Sequence, residues 1–568
     1  MRKFYFVICS LALASAVVGA LRAVIAMADG NWVATGDTEL LWLQWASDIG
    51  LKRMMLSVPL AVFVSWLAKD IVLIKKFHDW RAAVACCMLA FLPHLMVAAM
   101  MPSSSQQPTI VLITLDSVRL DYLGWGGSDL PTSPKLDALA AKGVRFTQNI
   151  SQSSWTKPST ATLLTGLVPG KHHANSRYAP LPNSQRTLAE ALLLSGYRTN
   201  CFSSNPNITP TFGFKQGFSE MQHDVFANAD ALITNGKQWL EAGGEQASFL
   251  YLHLNDAHYP YDPSADYAGM FNNTGIESTL NGPTEMEFRA SEGASFSEME
   301  VESLRLSYAE EIRYLDDLVG DFVSDLLQTR DDVIVIITSD HGEEFLEHGD
   351  LGHGHTVHDE LIRIPLQFNI SESLMQQQQW LPGLHGQQVR QMDVLPTVLE
   401  ICGVEWPSTA VALDGQSLLP FFGNGSAQSD RSAISETDSQ GSALSGFTGP
   451  LRTYRLPHAK LIVSDPWSLQ PANRVWLFDL QTDPRETANL ALQKLDVVGD
   501  IFEDYKASGW LLPIFSNSSV AITISEEEKL ALAALGYSED SEGVANDLQN
   551  SYFDPRAVPW VELELSLD

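Results

Sequence analysis

Acidic and imidazole side chains gather directly after a short apolar run near the middle of the chain. Residues 333–337 are apolar and β-branched, as in a strand buried on both faces, and the run is soon followed by Asp340 and His341. Further carboxylates and imidazoles follow at Glu343, Glu347, His348, His353 and His355. Open α/β sheets bind ligands at the carboxyl ends of their strands, so these residue types predict a metal and anion site there. The alternative interpretation is a solvated acidic loop that contains a few histidines.

Two further apolar runs end in the same residue types. Residues 109–115 are followed by Asp116, and residues 249–254 are followed by Asp256 and His258. Parallel strands bring their carboxyl ends to one edge of a sheet. We therefore expect a parallel or mixed sheet with these side chains gathered at that edge.

A candidate nucleophile lies between the first two of these strands in chain order, in the segment SWTKPSTATLLTGL that begins at Ser154. The pattern predicts a loop that runs into a helix, with Thr156 near the helix N-terminus. Backbone N–H groups and the helix dipole favour an anion at that position and help to stabilise the deprotonated form of a hydroxyl. The alternative is that Thr156 only caps the helix, a frequent role for threonine.

Composition and charge limit the classes of protein to consider. With 568 residues and 45% hydrophobic content, the chain can bury a large core. Five cysteines are too few for a disulfide framework. The formal charge of −32 belongs to the part after residue 106, because residues 1–106 contain more basic than acidic residues. Such an acidic surface argues against nucleic acid as a partner, although a saline habitat would explain the same charge.

The N-terminal region has the hydropathy of membrane segments. Residues 4–25 and 82–101 are apolar runs of bilayer-spanning length, and residues 54–73 form a weaker run that a buried helix would also explain. Basic residues precede the first run and separate the second from the third, while the first loop contains four acidic residues. We therefore expect about three transmembrane helices in the cytoplasmic (inner) membrane. The catalytic domain would then lie on the outer, periplasmic side.

A series of motifs between residues 108 and 490 resembles the sulfatase family within the alkaline phosphatase superfamily. The motifs occur in the family's order and include LITLDSVRLDYLG, SWTKPSTATLLTGLVP, HLNDAHYPY, TSDHGEEFLEHG and LFDLQTDPRETANLA. The resemblance implies an α/β fold, with an α/β/α sandwich around a mixed sheet and a small C-terminal α+β subdomain. It also implies a divalent metal ion that binds an anionic ester beside a nucleophile.

The resemblance assigns metal ligands residue by residue. Asp116, Asp340 and His341 match ligands of the family's metal ion, and Thr156 falls at the position of the nucleophile. A nucleophile at this position also contacts the metal, so the expected ligand set has four members. The resemblance implies one divalent ion, Mn²⁺, Zn²⁺ or Ca²⁺.

The chain departs from the family pattern around these positions. Sulfatases carry Cys or Ser as the nucleophile, which is converted to formylglycine, and this conversion is not expected for a threonine. Where the family has Arg this chain has Thr160, so we expect Lys157 and the helix N-terminus to replace that Arg. The family usually has a second Asp where this chain has Ser117. His258 and His353 match histidines that contact the anion or the leaving group.

An unmodified threonine beside an Asp-His pair looks like the phosphorus-handling relatives, such as phosphodiesterases and membrane-bound phosphoglycerol transferases. The resemblance implies a membrane-anchored, metal-dependent hydrolase or transferase of phosphate or phosphodiester groups, with a covalent Thr156 intermediate. We expect an anionic ester substrate, lipid-linked or part of an envelope glycan. Two alternatives stay open: a sulfatase that uses unmodified Thr156, and a catalytically silent membrane-bound binding protein.

These patterns divide the chain into five parts. They are a membrane region (1–102), a linker (103–108), a catalytic domain (109–425), a C-terminal subdomain (426–500), and a helix with an acidic tail (501–568).

Overall fold

The computed structural model describes residues 107–272, 296–423, 431–438, 450–464, 474–512, 525, 528–530, 532 and 558–559. The three predicted membrane runs and most of the predicted acidic tail lie outside the described residues, so their topology stays a prediction. In the part of the chain that is described, no helix is both long and apolar enough to cross a bilayer.

A mixed sheet of eight strands forms the centre of the described structure. Its strands are β1 (Thr109–Leu115), β2 (Val144–Ile150), β3 (Arg198–Ser203), β4 (Glu220–His223), β5 (Ser248–Leu254), β6 (Val333–Ser339), β9 (Arg363–Ile370) and β10 (Gly383–Arg390); a short hairpin, β7 (Glu344–Phe345) and β8 (Leu351–Gly352), follows β6. The strand order is β10-β2-β9-β6-β1-β5-β3-β4. Within this sheet β9 is antiparallel to both neighbours and the other pairs are parallel, which confirms the predicted α/β fold with a mixed sheet.

The register of the three central strands explains where the site forms. In β1, Leu115 lies level with Leu254 of β5 and with Ser339 of β6. Every residue of these strands is buried, as their apolar runs predict. The next residue of each strand, including Asp116 and Asp340, therefore leaves the sheet at the same edge.

Helices cover both faces of the sheet and complete the sandwich. They are α1 (Pro134–Lys142), α2 (Thr156–Thr165), α3 (Pro169–His172), α4 (Leu188–Leu194), α5 (Ala229–Gly243), α6 (Glu298–Thr329), α7 (Asp359–Ile362), α8 (Glu372–Gln378), α9 (Val394–Cys402) and α10 (Leu495–Ala507). Alternate residues of β1 point to opposite faces. Ile110 and Leu112 pack with α2, α4 and α9, whereas Val111 and Ile113 pack with α1, α5 and α6.

A second, antiparallel sheet follows the catalytic fold. Its strands, in spatial order, are β11 (Ala433–Thr437), β12 (Leu451–Arg455), β13 (Ala459–Ser464), β14 (Arg474–Asp479) and β15 (Val558–Pro559). α10 packs on this sheet through Val498, Ile501 and Phe502.

Ion pairs join the two sheets. Asp359, the first residue of α7, lies 2.6 Å from the Arg455 guanidinium of β12 and 3.0 Å from the Lys460 ammonium of β13. The side chains of Arg455 and Lys460 are almost wholly buried. The second sheet is therefore attached to the segment that follows β6.

Candidate metal centre and active site

Three side chains converge at the carboxyl edge of the central sheet. Asp116 follows β1, Asp340 follows β6 and His341 comes next in the chain, and one potential ligand atom from each lies within 4.8 Å of the others. His341 Nε2 is 3.6 Å from Asp116 Oδ1 and 3.6 Å from Asp340 Oδ2. All three residues are fully buried, and Asp340 Oδ2 has no hydrogen-bond partner among the described residues. Two adjacent buried carboxylates, an orphan oxygen and an imidazole fit a divalent cation.

The protonation of these groups suits a cation. Burial alone would raise the pKa of Asp116, but the hydrogen bond from His253 and nearby imidazoles hold that pKa well below its usual range. Burial and the negative charge of the nearby Asp116 carboxylate raise the pKa of Asp340. Burial lowers the pKa of His341. Its Nδ1–H donates to the Gly342 carbonyl at 2.8 Å, which leaves the Nε2 lone pair facing the carboxylates.

Thr156 reaches the same group of side chains. It is the first residue of α2, and its Oγ1 lies 3.2 Å from His341 Nε2. The N-cap is Trp155, and no side-chain cap hydrogen bond is present there, so the interpretation of Thr156 as a helix cap is wrong. The structure therefore brings together the four predicted metal ligands.

Hydrogen bonds from serines tie the start of α2 to the end of β6. Ser159, one turn into α2, donates to the Asp340 carbonyl at 2.6 Å, and Ser151 donates to the same oxygen at 2.6 Å. Because the Asp340 carbonyl oxygen accepts hydrogen bonds from both hydroxyls, the position of Thr156 relative to Asp340 is fixed.

Ser117 stands where the family usually has a second Asp, and it contacts both metal-centre carboxylates. Its backbone N–H donates to Asp340 Oδ1 at 3.2 Å, and its hydroxyl donates to Asp116 Oδ1 at 2.9 Å. Its φ of 60° is in the left-handed region, which is costly for a residue with a Cβ. The Tyr308 hydroxyl of α6 donates to the Ser117 carbonyl at 2.7 Å and supports this turn.

Two further histidines stand beside the centre. The ring of His353 lies 4.2 Å from the ring of His341 and 4.7 Å from that of His258, between centroids. His258 Nδ1–H donates to the Tyr259 carbonyl at 2.6 Å, and the buried Nε2 has no hydrogen-bond partner in the described part of the chain. His353 Nδ1 lies 3.1 Å from Glu343 Oε1. The two imidazoles predicted to contact substrate are thus adjacent to the metal ligands.

Comparison with known proteins identifies the family. The model of the family described as Sulfatase matches residues 108–404, more than half of the chain. The chain belongs to the sulfatase family. This confirms the resemblance inferred from the motifs and the prediction that the protein is an enzyme, a sulfatase-like ester hydrolase. The family generally uses a divalent metal ion, in agreement with the potential metal-binding group of Asp116, Asp340 and His341.

Individual relatives span several activities. The multifunctional alkaline phosphatase superfamily protein PehA of Trinickia caryophylli is 26% identical, over 67% of this chain and 91% of its own length. Choline-sulfatase of Rhizobium meliloti is 23% identical, over 72% of this chain and 88% of its own. In structure, the chain is similar to the phosphonate monoester hydrolase of Agrobacterium radiobacter, with a TM-score of 0.57, 20% identity and coverage of 74% and 98% of the two chains. The last likeness supports the alkaline-phosphatase-like fold.

Lys157 makes contacts different from those expected of a substitute for the sulfatase Arg. Its ammonium donates to the Arg177 carbonyl and lies 4.3 Å from the centroid of the Phe212 ring. The side chain is fully buried, and burial lowers its pKa to about 7. These contacts anchor the start of α2 to two loops, the one after α3 and the one after β3. We therefore correct the expectation that the ammonium faces the substrate.

Several residues of the acidic segment after β6 have structural partners. Glu347 pairs with Arg119 at 2.8 Å, and His355 pairs with Glu344 at 2.7 Å. Neither Glu347 nor His355 belongs to the group formed by Asp116, Asp340 and His341. The prediction that these two residues take part in the metal and anion site is therefore wrong.

His348 belongs to a second group of potential ligands with His358 and Glu360. His348 Nδ1 lies 2.5 Å from Glu360 Oε1, and the two imidazole rings stack 3.7 Å apart with planes only 3° from parallel. Lone pairs in parallel stacked rings do not point at a common atom. We therefore interpret this group as an ion pair between His348 and Glu360, with the His358 ring stacked on the His348 ring.

Two residues at the centre were missed by the sequence analysis. His253 of β5 lies 2.9 Å from Asp116 Oδ2, and the Asn205 amide donates to the same oxygen at 2.6 Å. His253 is the one imidazole in the otherwise mostly apolar run SFLYLHL, which was a usable signal. Asn205 lies in a loop after β3, and its position gives no comparable pattern. Of the residues after β5, Asp256 accepts from the Ala229 backbone at 3.0 Å rather than joining the centre.

Proposed function

We propose that the protein is a metal-dependent hydrolase or transferase of phosphate or phosphodiester groups that forms a covalent intermediate on Thr156. The observation that carries the proposal is the position of the Thr156 hydroxyl, 3.2 Å from His341 in the group formed with Asp116 and Asp340. A hydroxyl that binds a metal ion directly can react as an alkoxide, so the proposed role uses Thr156 unmodified. One divalent ion, Mn²⁺, Zn²⁺ or Ca²⁺, is the proposed cofactor.

The reaction divides into two displacements. When bound, the metal ion would favour the deprotonated Thr156 hydroxyl and offset the negative charge of the ester. Thr156 Oγ1 attacks phosphorus and its proton passes to solvent. The bond from phosphorus to the leaving oxygen breaks, and that oxygen takes a proton from His258 Nε2. Water or an alcohol then loses a proton to the same nitrogen and attacks the phosphorus of the phosphothreonine. The bond from phosphorus to Thr156 Oγ1 breaks, Oγ1 takes up a proton from solvent, and the transferred group stays on the attacking oxygen.

The neighbouring side chains support these roles. The His258 Nδ1–H is held by the Tyr259 carbonyl, so Nε2 is the nitrogen that exchanges a proton with the reacting groups. His353 contacts the ring of His258 edge to face and lies over His341, where it would contact the ester oxygens. The first N–H groups of α2 offer partial positive charge beside Thr156.

A sulfuric ester is the second candidate substrate, again with unmodified Thr156. The similarity to choline-sulfatase of Rhizobium meliloti favours it. Sulfate esters and phosphodiesters each carry one negative charge at the transferred group, so the same metal centre would accept either.

The nucleophile is tested by intact-mass analysis. Purified protein is incubated with an aryl phosphodiester or an aryl sulfate, each supplied alone. We expect a phosphoryl adduct that is absent from Thr156→Ala. The matched control is Thr165→Ala, which removes a buried hydroxyl from the other end of α2, where it donates to the Ala161 carbonyl. Ester cleavage that persists at the wild-type rate in Thr156→Ala would reject Thr156 as the nucleophile.

We also propose that the catalytic domain is anchored in the cytoplasmic membrane and faces the periplasm, where it acts on a lipid-linked or envelope ester. The support is the hydropathy of residues 4–25, 54–73 and 82–101 and the charges of their flanks. Cell fractionation followed by protease treatment of spheroplasts tests this topology. Cleavage of the catalytic domain only after the membrane is disrupted would contradict it.

A further inference from the structure

One oxygen of Asp116 is fully engaged by protein donors. His253 Nε2 lies 2.9 Å from Asp116 Oδ2, and the Asn205 side-chain amide donates to the same atom at 2.6 Å. The other oxygen, Oδ1, accepts one hydrogen bond, from the Ser117 hydroxyl at 2.9 Å, and faces His341 Nε2 at 3.6 Å. Asp116 therefore presents one of its two oxygens to the metal centre.

His253 is itself held in place by a chain of hydroxyl groups. Its Nδ1 lies 2.9 Å from the Tyr251 hydroxyl, and that hydroxyl lies 3.2 Å from Thr114 Oγ1 in the adjacent strand β1. All of these residues are fully buried. An oxygen of ionised Asp116 can only accept, so His253 Nε2 carries the proton of their hydrogen bond and Tyr251 sets the orientation of the ring.

Asn205 is fixed in a similar way. Its amide nitrogen also donates to Asn255 Oδ1 at 2.9 Å, and its own side-chain oxygen accepts from the Asn207 backbone at 2.8 Å. Every polar atom of the Asn205 side chain thus has a partner. Both donors to Asp116 Oδ2 are therefore rigid, and the carboxylate cannot rotate to offer both oxygens to one ion without losing a buried hydrogen bond.

We propose that His253 and Asn205 restrict Asp116 to a single ligating oxygen and thereby make the centre select a small transition-metal ion over Ca²⁺. The inference rests on the metal centre of the proposed function. It adds which chemical class of metal ion this centre binds. His253 acts as a positioning residue, because its Nε2 is occupied by Asp116 and lies 3.9 Å from Asp340 Oδ2.

Coordination chemistry gives the reason for the selection. Ca²⁺ takes six to eight oxygen ligands and often uses both oxygens of a carboxylate. This centre offers an imidazole nitrogen, and one of its two carboxylates is limited to one oxygen, a set that suits Mn²⁺ or Zn²⁺ better. Partners that orient metal ligands typically change metal affinity by about 10-fold to 100-fold when removed.

The test measures ion binding to the full chain after removal of metal by chelation. Calorimetric titration with Mn²⁺ and with Ca²⁺ is carried out on the wild type, His253→Ala, His253→Gln and Asn205→Ala. The matched control is His172→Ala, which removes another fully buried histidine whose Nε2 lies 3.1 Å from a hydroxyl, that of Thr162. Circular dichroism checks that each variant is folded.

We expect the wild type to bind Mn²⁺ more tightly than Ca²⁺. In His253→Ala the Mn²⁺ affinity should fall about 10-fold to 100-fold, while the Ca²⁺ affinity changes less than 3-fold. Asn205→Ala should shift the ratio in the same direction, and His253→Gln, which keeps an amide donor, should restore part of it. A Mn²⁺ affinity in His253→Ala equal to that of the His172 control, or equal losses for both ions, would overturn the inference.

Asp340→Asn separates this inference from the proposed function. Loss of Mn²⁺ binding in Asp340→Asn establishes the centre on which His253 is proposed to act. Wild-type binding that Asp340→Asn leaves unchanged would place the ion elsewhere and would reject both the centre and the selection.

Discussion

Replacing Glu311 with glutamine should make the stability of the protein less sensitive to a rise in pH from about 4.5 to about 8. Glu311 lies on α6, where its side chain is 5% exposed and faces the loop that carries His258. Burial, reinforced by the charge of Asp256, raises the pKa of Glu311 from 4.5 to about 8. The folded protein therefore keeps this proton over a pH range in which the unfolded chain has released it.

The magnitude follows from linkage between protonation and folding. A folded-state pKa above the unfolded value gives stability that is complete below pH 4.5 and declines as pH rises through about 8. Each unit by which the folded-state pKa exceeds the unfolded-state pKa corresponds to about 1.4 kcal/mol of unfolding free energy. The total decline is therefore about 5 kcal/mol. Above pH 8 the penalty is constant, because both states are then ionised.

Urea denaturation at pH 5 and pH 9 measures this effect. Between these values the wild type should lose about 4 kcal/mol of unfolding free energy that Glu311→Gln retains. The control is Glu302→Gln, an exposed position on the same helix, which should follow the wild type. Equal losses in the wild type and in Glu311→Gln would refute the reasoning.

Two substitutions test the backbone beside the metal centre and the ion pairs that join the two sheets. A Cβ at Gly342 would lie 1.9 Å from the Glu360 carbonyl oxygen, so Gly342→Ala should displace the adjacent metal ligand and lower Mn²⁺ affinity at least 10-fold by calorimetry, whereas Gly499→Ala, whose Cβ meets nothing within 4 Å, should not. Arg455→Met should lower the unfolding free energy by about 2–3 kcal/mol in urea titrations, because it removes one of the two cations that pair with Asp359. An unchanged transition midpoint would contradict this assignment.

The fold could be predicted from the sequence because its central strands are unusually uniform. β1 and β6 are continuous apolar runs, the signature of strands buried on both faces, and the polar residue after each run marks the carboxyl edge. The level register of these strands then brings Asp116 and Asp340 together. The position of Thr156 beside His341 came from the family resemblance, since local sequence equally allowed a helix cap.

The remaining features depend on contacts that sequence patterns do not encode. Lys157 was expected to face the substrate, but a long side chain beside a helix N-terminus can turn either way, and here a backbone carbonyl and an aromatic ring engage it. His348 and His355 have carboxylate partners, which a histidine-rich segment does not distinguish from metal ligands. The role of His253 depends on the pairing of β5 with β1, which places it against Asp116.

The paired serine hydroxyls on the Asp340 carbonyl bear on the entropy of catalysis. Ser159 comes from the helix that carries Thr156 and Ser151 from the end of β2, so three separate segments meet at one oxygen. The reacting groups are thus assembled before any ester arrives, and binding need not spend free energy on ordering them. Substrate affinity should then reflect the contacts made with the ester, and a shorter ester should lose affinity in proportion to the contacts it lacks.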